Sequence, residues 1–210
     1  MQDEDWADNW KAYFHATKVG GLIVIKPAWE DYEASPDDIV IDLDPSAAFG
    51  TGTHPTTAMC IRELESLVKG GMRVFDVGTG SGVLAVAAAK LGAGEVVAKD
   101  YDRTAAKVAQ ENVERNHVED KVTTGVSDLL KSFDGRADLV IANIIADIVI
   151  RLFDELDAHL AENGRLLASG IIDERVADVT EAALAHGFVI DKVIEESGWA
   201  AMVISRGEAK

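Results

Sequence analysis

From residue 72 to its C-terminal end the chain alternates short apolar runs with helical patterns, and this alternation constrains its fold more than any other feature. The runs "MRVFDV" (72–77), "EVVAKD" (95–100), "KVTTGVS", "ADLVIAN" (137–143) and "GRLLASGI" read as strands. The segments "SGVLAVAAAKLG", "RTAAKVAQENVERN", "IADIVIRLFDELDAHLAE" and "RVADVTEAALAHG" carry helical periodicity. Strands that are apolar at successive positions and separated by helices belong to a parallel sheet covered on both faces. The end departs from the pattern, because only "SG" separates "FVIDKVIEE" from "WAAMVISR". So short a link makes a hairpin, which predicts a last strand antiparallel to the rest.

The segment before residue 70 is organised differently. Trp6, Trp10 and Phe14 recur at i, i+4 and i+8, one face of a helix. "LIVIKP" and "DIVIDLDP" read as strands ended by prolines, and "TTAMCIRELESLVKG" as an amphipathic helix. The expected division is a linker helix over 1–20, an extension over 21–70 and the α/β unit over 71–210. With 48% hydrophobic residues the chain can bury a sizeable core.

A formal net charge of −17 disfavours electrostatic capture of DNA or RNA and favours a basic partner or plain solubility. The single cysteine, Cys60, excludes an intrachain disulfide and a cysteine-based zinc site, and the five histidines are scattered, so no metal is expected. The acidic opening "MQDEDWADNW" is unlike a signal peptide, and no apolar run reaches the ~20 residues of a membrane span. A cytoplasmic monomer without membrane contact is expected.

The string "VFDVGTGSGVLA" lies where the first parallel strand must turn into a helix. Gly78, Gly80 and Gly82 permit a sharp turn and close approach of a ligand, and the helix start offers unpaired N–H groups. A dinucleotide fingerprint is G-x-G-x-x-G, but its sixth position here is Val83. The spacing D-x-G-x-G-x-G, opened by Asp76 and including Thr79, is instead typical of S-adenosylmethionine-dependent methyltransferases. Asp100 ends the next strand about twenty residues on, where an acid accepts from ribose hydroxyls. Asp128, after the third strand, is either an acceptor for an adenine amino group or an N-cap. Asn143 closes the apolar run "LVIA" at the rim of the same site.

"AFGTGTHPTT", "DVGTGSGVLAVAAAKLGA", "DYD" and "ANI" occur in the order and spacing of the bacterial ribosomal protein L-eleven methyltransferase family (PrmA), which the chain resembles along nearly its whole length. The resemblance implies a class I methyltransferase fold, α/β and Rossmann-like, with a seven-stranded sheet whose last strand is antiparallel. It implies S-adenosyl-L-methionine as methyl donor and, as substrate, lysine side chains and the N-terminal amine of ribosomal protein L-eleven. Carried over by motif, Thr57, Gly78, Asp100 and Asn143 bind the donor. The family also has a small N-terminal α+β domain that grips the ribosomal protein, and this chain starts after it. A shortened form and a naturally short relative are both open, and the short chain is expected to bind donor but to methylate that protein poorly. Lys99 and Tyr101 around Asp100 depart from the small or apolar residues commoner in the family.

Methyl transfer from a sulfonium is an in-line displacement in which the protein mainly positions the reactants. Asn143, with nearby backbone carbonyls, is expected to orient the amine without a dedicated base. Ile144 and Ile145 lack the stacking surface of the [DN]-P-P-[YFW] motif that accompanies methylation of planar amides and bases. "AFGTGTHPTT" lacks the G-K-[ST] ending of a phosphate loop. It reads as a lid, with Phe49, Thr51, Gly52, Thr53 and His54 closing over the donor and Thr57 touching its methionine part. His54 is either a base or a structural hydrogen-bonding group. Other readings are a small-molecule methyltransferase of the same fold, a donor-binding module inactive on its own, and a nicotinamide-dependent dehydrogenase.

Overall fold

The computed structural model describes residues 14–44 and 52–207. Two sheets and five α-helices are seen among them. The central sheet has seven strands. They are β4 (Arg73–Val77), β5 (Glu95–Asp100), β6 (Val122–Val126), β7 (Ala137–Asn143), β8 (Leu160–Ile172), β9 (Phe188–Glu196) and β10 (Trp199–Arg206). Their spatial order is β6-β5-β4-β7-β8-β10-β9, with β10 antiparallel to both of its neighbours, as expected from the hairpin. Ser197 (φ 54°) and Gly198 (φ 79°) form the two-residue turn, both in the left-handed region that right-twisted hairpins require.

The apolar runs alternate between two cores. Val74, Leu139, Ile141, Leu167 and Val203 face one side. Phe75, Val140, Ala142, Leu166, Met202 and Ile204 face the other. Helices α1 (Pro55–Leu67), α2 (Val83–Lys90) and α3 (Arg103–Arg115) cover the first face. Helices α4 (Ala146–His159) and α5 (Val176–Ala185) cover the second. Every residue of α2 except Lys90 is buried, and its alanines allow it to lie between the sheet, α1 and α3.

One boundary differs from expectation. The pattern predicts helix through residue 162, but α4 ends at His159 and β8 starts at Leu160. Leu160 is fully buried and pairs with Ala137, after which the register jumps so that Leu139 faces Arg165. A Cβ at Gly164 would lie 3.0 Å from the Ala137 carbonyl oxygen, so the wrap needs glycine there.

The N-terminal segment builds a second sheet. β1 (Thr17–Lys18) runs antiparallel to β2 (Ile23–Pro27), which pairs in parallel with β3 (Ile39–Leu43). Strand at Thr17 means that the linker helix expected over 1–20 does not extend through its end. Trp6 and Trp10 lie outside the described residues. The sheet lays Ile23, Ile25, Ile41 and Leu43 onto the α1–α2–α3 layer.

Each helix of that layer also holds the sheet by a polar side chain. Glu65 of α1 accepts from the N–H groups of Gly21 (2.8 Å), Leu22 (2.8 Å) and Ile23 (3.0 Å). Lys90 of α2 donates to the Val40 carbonyl at 2.7 Å. Asn116, the C-cap of α3, receives the Asp42 N–H (2.9 Å) and donates to its carbonyl (2.7 Å), as a neighbouring strand would. No helix among the described residues is long and apolar enough to cross a membrane.

Removing the Glu65 carboxylate strands three backbone donors, only one of them partly buried. Glu65→Ala should therefore lose about 1–2 kcal/mol in urea unfolding with an unchanged m-value. A loss indistinguishable from zero would show that water replaces the clamp.

Candidate functional site: a cleft at the carboxyl ends of the strands

The chain reverses between β4 and α2 through three glycines with positive φ: Gly78 (71°), Gly80 (54°) and Gly82 (80°). Two of them also pack closely against their neighbours. A Cβ on Gly78 would come within 2.6 Å of Ile144 Cγ2, and one on Gly82 within 3.1 Å of Ala109 Cα. The third point of attachment is polar, because the Gly80 N–H donates to Asp100 Oδ2 at 2.8 Å.

The loop forms one wall of a cleft of about 740 Å³ at the carboxyl ends of β4, β5, β6 and β7. This is where open α/β sheets collect ligands. Gly78, Gly80, Asp100, Asp128 and Asn143, all expected at a binding site, line it. Asp100 Oδ1 accepts the Asp102 N–H at 2.9 Å, so two backbone donors orient the carboxylate while its remaining lone pairs can accept hydroxyls.

Asn143 is held by Thr57 of α1, which brings these two expected residues together. Asn143 Nδ2 donates to Thr57 Oγ1 at 3.2 Å, and Thr57 is fully buried. In this orientation Asn143 Oδ1 is buried with no hydrogen-bond partner. An unpaired buried acceptor beside a cleft is a place for a ligand donor.

Other expected residues stand elsewhere. Asp76 and Thr79 face away from the cleft: both are buried, and Thr79 Oγ1 donates to Asp76 Oδ2 at 2.6 Å. The pair supports the loop from behind, because the strand period turns Asp76 inward while Val77 lines the cleft. His54 is the N-cap of α1, with Nδ1 accepting the Thr56 N–H, and its ring meets Trp199 edge-on at 5.2 Å. Of the two roles open to His54, this is the structural one.

Gly52 (φ 84°) packs on β2, where a Cβ would strike Ile25 Cδ1 at 2.1 Å, and exposed Thr53 lies beside it near Pro27 and Leu43. Neither is among the cleft-lining residues. Phe49 and Thr51 of the expected lid lie outside the described residues. Asp128 is no helix cap, because turns follow it. Its carboxylate pairs with Lys131 and with Arg151 at 3.8 Å. The Lys131 hydrogen bond holds its pKa below the ordinary value.

The cleft also contains residues that sequence reasoning missed as site residues: Tyr101, Leu129, Ile148 and Arg151. Tyr101 directly follows the ribose-type acid and was legible by position. Arg151 sits mid-helix in α4, and nothing local marks it.

Burial, with repulsion from Asp100 as a smaller cause, pushes the Asp76 pKa up from 3.8 to about 7, against the pull of its Thr79 hydrogen bond. A raised acid holds its proton in the folded state while the unfolded chain releases it. Its contribution is therefore full below about pH 4 and is lost as pH rises through 7. Wild-type stability minus that of Asp76→Asn should fall by on the order of 4 kcal/mol between about pH 4 and pH 8. Urea titrations of both proteins across that range measure it, and a difference independent of pH contradicts the assignment.

The comparisons with known proteins agree with this geometry. A family model described as ribosomal protein L11 methyltransferase (PrmA) matches residues 1–207. The ribosomal protein L11 methyltransferase of Desulfitobacterium hafniense is 51% identical over 199 residues, covering 95% of this chain and 64% of that protein. That of Heliobacterium modesticaldum is 50% identical over 206 residues, covering 98% and 65%. The chain thus spans slightly less than two thirds of the length of the curated relatives it matches. The crystal structure of a ribosomal protein L11 methylase from Lactobacillus delbrueckii subsp. bulgaricus superposes with a TM-score of 0.87 at 36% identity, covering 93% of this chain and all of that one. The fold is that of class I S-adenosylmethionine-dependent methyltransferases. A glycine loop pinned on three sides, an acid at the end of β5 and an amide held at the end of β7 are therefore those of a chain that belongs to the ribosomal protein L11 methyltransferase (PrmA) family.

Proposed function

We propose that the chain is the methyl-transferring part of an S-adenosylmethionine-dependent protein methyltransferase. Its substrates are amines of ribosomal protein L11, the protein after which its relatives are named. The observation that carries the reading is the buried, unpartnered Asn143 Oδ1 beside a cleft that has a nucleoside-type acid on the opposite strand.

The residues fit the donor. Asp100 offers acceptors for two ribose hydroxyls, and the glycine loop with the start of α2 offers close approach and backbone N–H groups. When bound, the donor supplies an activated methyl group on a positively charged sulfur.

The remaining task is to present a neutral nitrogen. A lysine with pKa ~10.4 is neutral in only about one molecule in a few thousand at pH 7. Entry into a partly closed cleft beside a positive charge lowers that pKa. Asn143 Oδ1, aimed by Thr57, would accept an N–H of the incoming amine and so orient its lone pair toward the donor. Ile144 lines the same wall and offers no flat face on which a planar base or amide could stack. The net charge of −17 draws a basic protein toward the molecule. Lysine side chains and the N-terminal amine of L11 are the acceptors on this reading.

Thermal shifts with S-adenosylmethionine, its demethylated product and NAD should show stabilisation by the first two alone. Transfer of labelled methyl groups to purified L11 then tests the acceptor. Asn143→Ala should reduce turnover about a hundredfold, the scale of a misplaced reactant, while donor affinity changes far less. Equal losses in both quantities would mean that Asn143 serves only the donor.

A further inference from the structure

Asn112 of α3 lies outside the cleft, is buried, and makes two long-range hydrogen bonds in opposite directions. Its Nδ2 donates to the Ser81 carbonyl at 2.8 Å, within the glycine loop. Its Oδ1 accepts the Asp44 N–H at 3.4 Å, just beyond the end of β3. One turn earlier on α3, Ala109 is the residue against which Gly82 packs. One turn later, Asn116 exchanges two hydrogen bonds with Asp42 but does not reach the loop. The asparagines at i and i+4 therefore differ in one respect: both hold the second sheet, and only Asn112 also holds the loop.

We infer that Asn112 is a positioning residue that ties the donor loop to the chain leaving β3, so that the order of the loop depends on this one side chain. The loop is also attached to the central sheet and its helices, through the Lys99 carbonyl, Asp100, Ile144 and Ala109. The carbonyl of Ser81 directly precedes the Gly82 N-cap of α2, where the backbone has φ 80° and no side-chain cap. Fixing that carbonyl fixes the peptide plane between Ser81 and Gly82 and thus the direction of the N–H groups at the start of α2. β3 runs on through Asp44 toward the "FGTGTH" string. The consequence for donor binding rests on the methyltransferase reading, whereas the consequence for the loop does not.

Amide hydrogen exchange in the donor-free protein tests the coupling independently of any ligand. Asn112→Ala should speed exchange at Gly80 and Gly82 about tenfold, the scale of one well-made buried hydrogen bond. Asn116→Ala should speed exchange at Asp42 and leave those loop amides unchanged. Asn112→Asp keeps the acceptor for Asp44 and loses the donor to Ser81, so it should reproduce the loop effect even if the alanine variant does not fold. Calorimetric titration with S-adenosylmethionine should show the same split, with affinity about tenfold weaker for the Asn112 variants and unchanged for Asn116→Ala. Unchanged loop exchange in the Asn112 variants, or equal acceleration in Asn116→Ala, overturns the inference. A wild-type protein that binds no donor yet shows the exchange pattern would refute the methyltransferase reading and leave the coupling standing.

Discussion

The geometry of the cleft rests on the tight reversal between β4 and α2, where three glycines adopt backbone conformations that other residues reach only with strain. The turn is also close-packed, since a Cβ on Gly78 would strike Ile144 and one on Gly82 would press on Ala109. Asp100 then serves two purposes, accepting the Gly80 N–H while presenting its remaining lone pairs to the cleft. A loop fixed in this way is preorganised, and a ligand that meets it does not have to order it first.

Behind the loop the protein tolerates a buried acid. Asp76 is fully enclosed and holds its proton to about pH 7, so at lower pH it enters the core as a neutral group bonded to Thr79. The same logic of buried but satisfied polarity runs through the layer of helices above the sheet. Glu65, Lys90, Asn112 and Asn116 each bond backbone groups of the N-terminal segment. The second sheet is thus held by directional bonds as well as by its apolar face. Among the described residues Asn143 Oδ1 stands apart as a buried acceptor without a partner, and it lies beside the cleft.

Much of this was legible in the residues. The strand–helix alternation, the terminal hairpin through Ser197 and Gly198, and the placing of Gly78, Gly80, Asp100 and Asn143 at strand ends all follow from local patterns. Periodicity and turn chemistry act over a few residues, so a single chain displays them. The boundary at His159 and Leu160 was misread because an apolar residue suits either element, and pairing with Ala137 decides between them. Asp76 and Thr79 were placed in the site by motif. Motif membership, however, does not distinguish a side chain that faces the ligand from one that braces the loop behind it.

By itself the sequence determined the class of fold and the end of the sheet at which chemistry can occur, because both depend on the order of elements along the chain. Only the tertiary structure decided what aims each functional group. Thr57 lies 86 residues from the Asn143 amide that it orients, and Asn112 lies 31 residues from the loop that it holds. Such pairs carry no local signal. A hydrogen bond between distant residues exists only once the packing of the sheet and its helices has brought the two atoms to bonding distance.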